Sequence, residues 1–146
     1  MYLLDTTHCI ALFNNKPNVV QKLNALKKLR VSTSVIVRGE LFFGVYKAER
    51  FIENLQQIKA FLDYIKVYLI DEETSEIYGR LKSAILNHFG PKDKIKRRNV
   101  TVESLGFRDN DVWIASTAIQ HGLILVSADS DLLRLNGIEG LIVENW

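Results

Sequence analysis

Four carboxylates, spread over most of the chain, are the side chains whose types and positions could do chemistry together. Asp5 ends the apolar run YLL, and Asp129 comes three residues after the apolar run LILV. Asp111 lies in RDNDVWIASTA, residues 108–118, and Glu40 lies in VRGELFFGV, residues 37–45. Grouped carboxylate oxygens, with no histidine or cysteine expected among them, are the ligands that Mg²⁺ or Mn²⁺ prefers. Such a cation can activate water and neutralise the charge of a phosphodiester, which is nuclease chemistry.

Each acid also has a simpler interpretation. Asp5, Asp111 and Asp129 stand where helices begin, and aspartate is a preferred helix N-cap. Glu40 could instead be half of a buried ion pair with Arg38 or a lysine. The chemical interpretation depends on convergence, because at about 5 Å and an effective dielectric of ~20 each carboxylate pair repels by about 3 kcal/mol. Four such groups at one edge need either protons or a cation.

Convergence in turn requires a particular arrangement of strands and helices. Apolar runs predict short strands near residues 2–4, 67–70, 123–126 and 141–143, and a further short strand is expected at 31–33, where the sequence is VST. Helical spacing predicts helices over about 18–29, 34–48, 50–65, 73–88 and 110–121. Strands that are apolar on both faces and alternate with helices indicate a parallel sheet covered on both sides. The expected fold is therefore three-layer α/β/α, with a central, mostly parallel sheet of about five short strands, and sites in such sheets form beyond the carboxyl ends of the strands.

Helical spacing distinguishes the two aspartates of RDND. Asp111 aligns with Ala115, Ala118 and Gly122, a face of small residues suited to packing closely on a sheet. Asp109 aligns with larger or polar residues, namely Trp113, Ser116 and Gln120, and this pattern is typical of an outer side. We therefore expect Asp111 to belong to the site, and Asp109 to cap the helix or face solvent.

The overall composition limits the class of protein. With 146 residues, 47% of them hydrophobic, the chain is expected to form one domain over residues 1–146, with a basic loop or insertion at about 90–108. A net charge of +2 does not by itself indicate nucleic-acid binding. The single cysteine, Cys9, excludes an intramolecular disulfide framework. No apolar run approaches the ~18 residues of a membrane span, and no secretory signal is evident, so we expect a cytoplasmic protein.

Four motifs, in order along nearly the whole chain, resemble those of PIN-domain ribonucleases of the VapC toxin type. The matching segments are YLLDT, VRGELFFGV, NDVWIASTA and GLILVSADSD. The resemblance implies a metal-dependent endoribonuclease that uses Mg²⁺ or Mn²⁺ and acts as the toxin of a toxin–antitoxin pair. Its acidic quartet would be Asp5, Glu40, Asp111 and Asp129.

The resemblance also implies a role for each residue. Asp5 and Asp111 would bind the metal directly, whereas Glu40 and Asp129 would act through water or on a second metal. Thr6 and Ser127 occupy positions where the family often has a hydroxyl that helps to hold the site. One departure follows Asp5, where the family usually has Asn after Asp-Thr and this chain has Thr7 and then His8.

The partners implied by the resemblance are an RNA substrate, a VapB-like antitoxin and a second copy of the chain. The antitoxin would run along the helices after the second strand, which carry the apolar residues Phe42, Phe43, Tyr46, Phe51 and Leu55. The longer-than-usual segment before Asn110 holds Lys94, Lys96, Arg97 and Arg98, which could contact RNA phosphates or form a solvated loop.

Two other classes of protein remain open on sequence grounds. A receiver-like phosphoacceptor domain also gathers acids at strand ends, but it would need a lysine after its final strand, and here LIVENW ends the sequence. A catalytically silent PIN-like interaction domain would keep the fold without the activity.

Overall fold

The structure is a computed structural model that describes residues 1–26, 31–49 and 51–146. At Phe51 and Lys94 it describes the backbone and not the side chain. The strands are β1 (Tyr2–Leu4), β2 (Val31–Ser34), β3 (Lys66–Tyr68), β4 (Ile124–Val126) and β5 (Ile142–Glu144). The helices are α1 (Thr6–Phe13), α2 (Pro17–Leu26), α3 (Val35–Lys47), α4 (Phe51–Asp63), α5 (Glu72–Phe89), α6 (Lys94–Arg97), α7 (Asp109–Gln120) and α8 (Ser130–Arg134). Short 3-10 turns lie at Glu103–Leu105 and Ile138–Gly140.

The five strands form one sheet in the order β3-β2-β1-β4-β5, and every neighbouring pair is parallel. Strand β1 lies in the centre, paired on one side with β2 and on the other with β4. The carboxyl ends of β1 and β4 therefore lie side by side, with Leu4 opposite Val126 in the register. The predicted fold class, a five-stranded parallel sheet flanked by helices, is confirmed.

The strand interiors are buried in two different ways. Leu3, Leu4, Leu125 and Val126 are fully buried, as expected for apolar strands covered on both faces. Strand β2 is polar yet equally buried, because its hydroxyl groups bond within the fold. Ser32 donates to the Tyr2 carbonyl, Thr33 donates to the Leu4 carbonyl, and Ser34 caps α3 by accepting from the backbone N–H of Val37. Buried hydroxyls with partners such as these avoid the penalty of an unpaired polar group.

Most predicted boundaries differ from the observed ones by one or two residues. The third strand begins at Lys66 and ends at Tyr68, not at 67 and 70, and the last strand is shifted by one residue, to Ile142–Glu144. The helix expected over 18–29 is observed as Pro17–Leu26, and residues 27–30, including Leu29, lie outside the described residues.

The segment from residue 90 to 108, expected as a loop or insertion, contains the short helix α6 and one 3-10 turn. Its carboxyl-terminal part is anchored by Arg134 of α8. The Arg134 guanidinium carbon lies 4.7 Å from the ring centre of Phe89 and 4.6 Å from that of Phe107, and its Nη1 donates to the Leu105 carbonyl. In the described parts of the chain, no helix combines the length and the apolar character needed to cross a membrane.

Candidate active site

Asp5 follows β1 directly and is held on both carboxylate oxygens. Its Oδ1 accepts from the backbone N–H of His8 at 2.7 Å and lies 3.0 Å from His8 Nδ1. Its Oδ2 accepts from Ser127 Oγ, 2.5 Å away, just beyond the neighbouring strand β4. Asp5 is 4% exposed and is also the N-cap of α1. Capping and membership of the site are therefore compatible at this residue.

Glu40 reaches the same edge of the sheet from α3. Its Oε2 accepts from the Thr6 hydroxyl, and its Oε1 accepts from Asn110 Nδ2 at 2.8 Å. The ion-pair partner considered for Glu40, Arg38, instead places its guanidinium carbon 4.6 Å from the ring centre of Phe42. The contacts of Glu40 thus join the residue after Asp5 to the start of α7.

Asp111 lies in the first turn of α7 and is 4% exposed. The Arg108 guanidinium donates two hydrogen bonds to the Asp111 carboxylate, from Nε to Oδ2 at 2.9 Å and from Nη2 to Oδ1 at 3.2 Å. Burial raises the pKa of the Asp111 carboxyl, and the bonds from Arg108 oppose that shift. The nearby charges of Asp129 and Glu40 also raise its pKa, which places both of these acids within electrostatic reach of Asp111.

Asp129 completes the group from the loop after β4. Its Oδ1 caps α8 by accepting from the backbone N–H of Asp131 at 2.8 Å, and its Oδ2 accepts from Arg108 Nη2 at 3.3 Å. Its own backbone N–H donates to Ser127 Oγ at 3.0 Å. Ser127 therefore connects Asp129 to Asp5, and Arg108 connects Asp129 to Asp111.

Together these hydrogen bonds form a ring through all four acids, which is closed by the chain itself between Asp5 and Thr6 and between Asn110 and Asp111. Asp5 is linked through Ser127 to Asp129, Asp129 through Arg108 to Asp111, and Glu40 through Asn110 and Thr6 to the chain next to Asp111 and Asp5. The structure thus brings together the four acids that the sequence placed at one sheet edge. Thr6 and Ser127 lie within the ring, as hydroxyl donors.

Asp109 has different surroundings. It does not cap α7, and its side chain is 46% exposed, as the solvent-facing alternative predicted, but it also binds two residues of α5. It accepts from the Tyr78 hydroxyl and from Lys82 Nζ, the latter at 2.8 Å. The hydrogen bond from Lys82, followed by that from Tyr78, lowers the pKa of the Asp109 carboxyl. The N-cap residue of α7 is Arg108, and its side chain makes no capping bond.

The side of α7 that carries Asp109 is covered by α5. The rings of Tyr78 and Trp113 stack with centres 3.7 Å apart, Ser116 is fully buried, and Gln120 donates to the Asp71 carboxylate. The interpretation of this face as an outer side was therefore wrong, because periodicity within α7 carries no information about a helix that packs on it from elsewhere in the chain.

The donor chemistry of the four acids suits a hard divalent cation, but their arrangement in this structure does not form a ready metal cage. Among the described residues, no three His, Cys, Asp or Glu side chains are placed to hold a metal ion together. The physical reason is visible in the contacts. Arg108 occupies both oxygens of Asp111 and one oxygen of Asp129, and it supplies the positive charge that the acids require. His8 also contacts Asp5, whereas no histidine was expected near the site.

The other predicted residues lie outside this ring. Lys96 and Arg98 are exposed, whereas Arg97 donates to the Pro91 carbonyl and to Asn87 Oδ1. The side chain of Lys94, also predicted to contact RNA, lies outside the described residues. The α6 residues therefore remain a prediction as an RNA contact.

The predicted antitoxin face is partly exposed. Phe43 and Tyr46 are each 65% exposed, whereas Phe42 and Leu55 pack partly against the core. The side chain of Phe51 lies outside the described residues. Phe43 also borders a cleft of about 470 Å³ next to Glu40, lined by Val35, Ile36, Gly39, Glu40, Phe43 and Asn110.

Sequence reasoning missed three residues that hold the acids, namely Arg108, Asn110 and His8. Arg108 stands three positions before Asp111, a spacing at which side chains meet across a helix start, so this ion pair was accessible from the sequence. Asn110 and Glu40 are 70 positions apart, and only the packing of α3 against α7 brings them together.

The fold and the ring of acids define an α/β protein with an acidic centre at the carboxyl edge of a parallel sheet. The sequence pattern of the PIN domain family matches residues 2–138, and the chain belongs to that family.

Two relatives and one solved structure show which members of the family this chain resembles. The chain is 28% identical to "Ribonuclease VapC2" of Rickettsia felis, over 100% of this chain and 98% of the relative. It is 25% identical to "tRNA(fMet)-specific endonuclease VapC" of Salmonella typhimurium, over 99% and 97% of the two chains. The crystal structure of VapBC2 from Rickettsia felis, bound to a DNA fragment from their promoter, matches with a TM-score of 0.76 and 25% identity, over 99% and 98% of the chains. These matches confirm the resemblance found in the sequence.

Proposed function

We propose that this chain is a metal-dependent endoribonuclease that acts as the toxin of a toxin–antitoxin pair. The observation that carries the proposal is the closed ring of contacts through Asp5, Glu40, Asp111 and Asp129 at one edge of the sheet. The names of the VapC relatives, a ribonuclease and an endonuclease, support the same activity. Residues 1–146 act as a single PIN domain, which cleaves RNA in the cytoplasm.

The four acids divide the work as follows. Asp5 and Asp111, the two most buried, would be the direct ligands of Mg²⁺ or Mn²⁺, whereas Glu40 and Asp129 would act through water or on a second ion. When bound, the cation supplies an activated water and neutralises charge on the phosphodiester. Ser127 orients the carboxylate of Asp5 through its hydrogen bond, and the other hydroxyl in the ring, Thr6, does the same for Glu40.

The experiment that tests this function compares two aspartates of one helix turn. Asp111→Asn should lower the rate of RNA cleavage about 100-fold or more, because the site loses a buried ligand charge. Asp109→Asn is the matched control, since Asp109 contacts Tyr78 and Lys82 outside the ring, and it should leave cleavage largely intact. Sequencing of RNA ends after brief induction measures the cleavage in cells, with Asp5→Ala as the inactive reference.

Three results would contradict the proposal. The first is cleavage that continues in excess EDTA, and the second is a loss of cleavage in Asp109→Asn but not in Asp111→Asn. The third is growth that is not arrested when the soluble chain is expressed without a partner.

A second candidate function is a catalytically silent PIN-like interaction domain. The observation that favours it is the absence, among the described side chains, of three groups placed to hold a metal ion. This candidate predicts neither RNA cleavage nor binding of Mn²⁺ by the purified chain. The same two measurements therefore separate it from the ribonuclease.

The RNA backbone would be held by the exposed basic residues of α6. Helix α5 runs antiparallel to α7, since Asp71 lies near Gln120 whereas Lys82 lies near Asp109. The carboxyl end of α5 therefore extends past the start of α7, and the bond from Arg97 to Asn87 keeps α6 beside that end of α5. Lys96 and Arg98 are exposed there, and in this proposal they contact the RNA phosphates.

Salt dependence tests that RNA contact. The double variant Lys96→Ala with Arg98→Ala should bind RNA more weakly, and the slope of log affinity against log salt should fall by about 1.4, since each single-strand phosphate contact contributes about 0.7. Lys22→Ala, an exposed lysine on α2, is the control and should leave the slope within error. An unchanged slope in the double variant would assign the basic segment to solvent.

The antitoxin partner would be VapB-like, as the VapBC2 complex of Rickettsia felis suggests. Its chain would cover the exposed face of α3 around Phe43 and Tyr46 and enter the cleft beside Glu40. Phe43→Ala should weaken capture of the antitoxin encoded next to this chain, whereas Leu69→Ala, an equally exposed apolar residue elsewhere, should not. Equal effects of the two substitutions would contradict this interface.

Light scattering of the purified chain tests the proposed homodimer.

A further inference from the structure

Arg108 is the one strongly basic side chain, among the described residues, that forms ion pairs with the four acids. Its guanidinium makes three bonds to two of them. Nε and Nη2 bind the two oxygens of Asp111 at 2.9 and 3.2 Å, and Nη2 also lies 3.3 Å from Asp129 Oδ2. Two carboxylates from distant parts of the chain are therefore neutralised by one guanidinium group.

A divalent cation at this site would need the same oxygen atoms. Both oxygens of Asp111 already accept from Arg108, and so does the one oxygen of Asp129 that is not used to cap α8. A cation and a guanidinium that share a carboxylate also repel each other over a few ångströms. Arg108 and a divalent cation are therefore competitors for Asp111 and Asp129.

The backbone of Arg108 is anchored by hydrogen bonds, whereas its side chain is largely exposed to solvent. Its carbonyl accepts from the backbone N–H groups of Asp111 and Val112, and the preceding Phe107 is fully buried. The side chain itself is 69% exposed, against 5% for that of Asp111. A guanidinium with most of its surface already in water loses little solvation energy when it exchanges a carboxylate for water.

We propose that Arg108 is a tethered counter-ion, which must release Asp111 and Asp129 before a divalent cation binds and which thereby sets the cation concentration that the site requires. The inference rests on the proposed function only in that this function needs a cation here. It assigns to Arg108 a role in controlling occupancy of the site and none in the reaction itself.

Calorimetric titration of the purified chain with Mn²⁺ tests this role without measuring activity. Arg108→Gln should bind Mn²⁺ about tenfold more tightly than the wild-type chain, equivalent to about 1.4 kcal/mol. Arg108→Lys keeps a positive charge but loses the two-pronged grip, so its affinity should fall between the two. Arg80→Gln is the matched control, because Arg80 is an exposed arginine paired with Glu139, outside the ring, and its loss changes the net charge equally. Its affinity for Mn²⁺ should stay within about twofold of wild type.

Thermal melting supplies an independent readout. In EDTA, Arg108→Gln should melt below the wild-type chain, because the buried Asp111 loses its counter-charge. In saturating Mn²⁺ the difference between the two melting temperatures should narrow or change sign, since the cation supplies that charge and binds this variant more tightly.

The possible outcomes separate this inference from the proposed function. If the wild-type chain binds Mn²⁺ and cleaves RNA, but Arg108→Gln binds Mn²⁺ no more tightly, the counter-ion role is overturned and the ribonuclease stands. If none of the variants binds Mn²⁺, both the counter-ion role and the cation centre are overturned. If Arg108→Gln does not fold, Arg108→Lys decides, and an affinity equal to or weaker than wild type overturns the inference.

Discussion

Replacing Ser127 with alanine removes a single hydroxyl group that carries two hydrogen bonds of the acidic ring. Ser127 is fully buried, and its Oγ donates to Asp5 Oδ2 at 2.5 Å while accepting from the backbone N–H of Asp129 at 3.0 Å. The substitution leaves a buried carboxylate oxygen without its donor, and it also leaves a backbone N–H without its acceptor. Both losses act against the folded state, because these groups regain water partners only on unfolding.

The size of the effect follows from the two bonds. A hydrogen bond to a charged group contributes about 1.5–3 kcal/mol, and one between neutral groups about 0.5–1.5 kcal/mol, so we expect a loss of about 2–4.5 kcal/mol. At about 2.1 cal/mol/K per residue, the unfolding entropy of 146 residues is about 0.3 kcal/mol/K. The melting temperature should therefore fall by about 6–15 °C.

Calorimetry or urea unfolding in EDTA measures this loss, and Ser116→Ala provides the matched control. Ser116 is also fully buried, but its hydroxyl donates only to the Val112 carbonyl within α7. We expect Ser116→Ala to lower the free energy of unfolding by less than about 1 kcal/mol, because the Val112 carbonyl still accepts a backbone hydrogen bond within the helix. RNA cleavage should fall in Ser127→Ala, since Asp5 loses the bond that orients it, and should stay near wild type in Ser116→Ala.

Equal losses of stability in the two serine variants would refute the reasoning. The destabilisation would then come from removing any buried hydroxyl and not from the carboxylate that Ser127 serves. A loss of less than about 1 kcal/mol in Ser127→Ala would refute it as well, because Asp5 would then be held adequately without this donor.

Three further predictions concern parts of the fold around the site. The backbone N–H of Thr74 is the main cause of the lowered pKa of Asp71, so that contribution to stability is present above the unfolded value of about 4 and is lost as the pH falls through the folded value. The urea midpoint should therefore drop more steeply between pH 5 and pH 2.5 in wild type than in Asp71→Asn. Burial raises the pKa of the Cys9 thiol to about 12, so the stability that this shift contributes is present below about pH 9 and is lost as the pH rises toward 12. Iodoacetamide at pH 8 should therefore label Cys9 only after the protein unfolds. Gly106→Ala should destabilise the fold by more than about 1 kcal/mol, because Gly106 has a φ of +99°, which residues with a side chain rarely adopt. Gly79→Ala in α5, where the added methyl group meets open space, should instead stabilise the fold by up to about 1 kcal/mol in the same urea assay.

The position of the four acids was predictable because it depends on topology more than on detail. Parallel strands end at a common edge, so the sequence could place Asp5 and Asp129 at that edge, whereas the pairing of β1 with β4 that sets them side by side came only from the structure. The choice of Asp111 over Asp109 as a site residue agrees with its burial, since helical periodicity directed its side chain toward the sheet. Both inferences needed only the direction of each side chain and not its partners.

Apart from the pair of Arg108 with Asp111, the partners themselves were not predictable from local patterns. Asp109 was expected to cap α7 or to face solvent, and its side chain is 46% exposed. Its binding by Tyr78 and Lys82, 31 and 27 positions earlier in the chain, was not predicted, because it depends on the packing of α5 on α7. The polar strand β2 likewise offered no apolar signal beyond Val31, although its hydroxyls are satisfied by carbonyls of β1. In each case the deciding contact joins elements that periodicity treats separately.

The two kinds of donor in the ring predict opposite consequences for substitutions that both lower stability. Asp5 and Glu40 are held by groups within the fold, among them the buried Ser127, whereas Asp111 is held by the exposed side chain of Arg108. Loss of Ser127 should lower stability and weaken Mn²⁺ binding, since a ligand is no longer oriented. Loss of Arg108 should lower stability in EDTA and strengthen Mn²⁺ binding, since a competitor is removed. If the affinity for Mn²⁺ rises in both the Ser127 and the Arg108 variants, or falls in both, the ring does not contain two different kinds of donor.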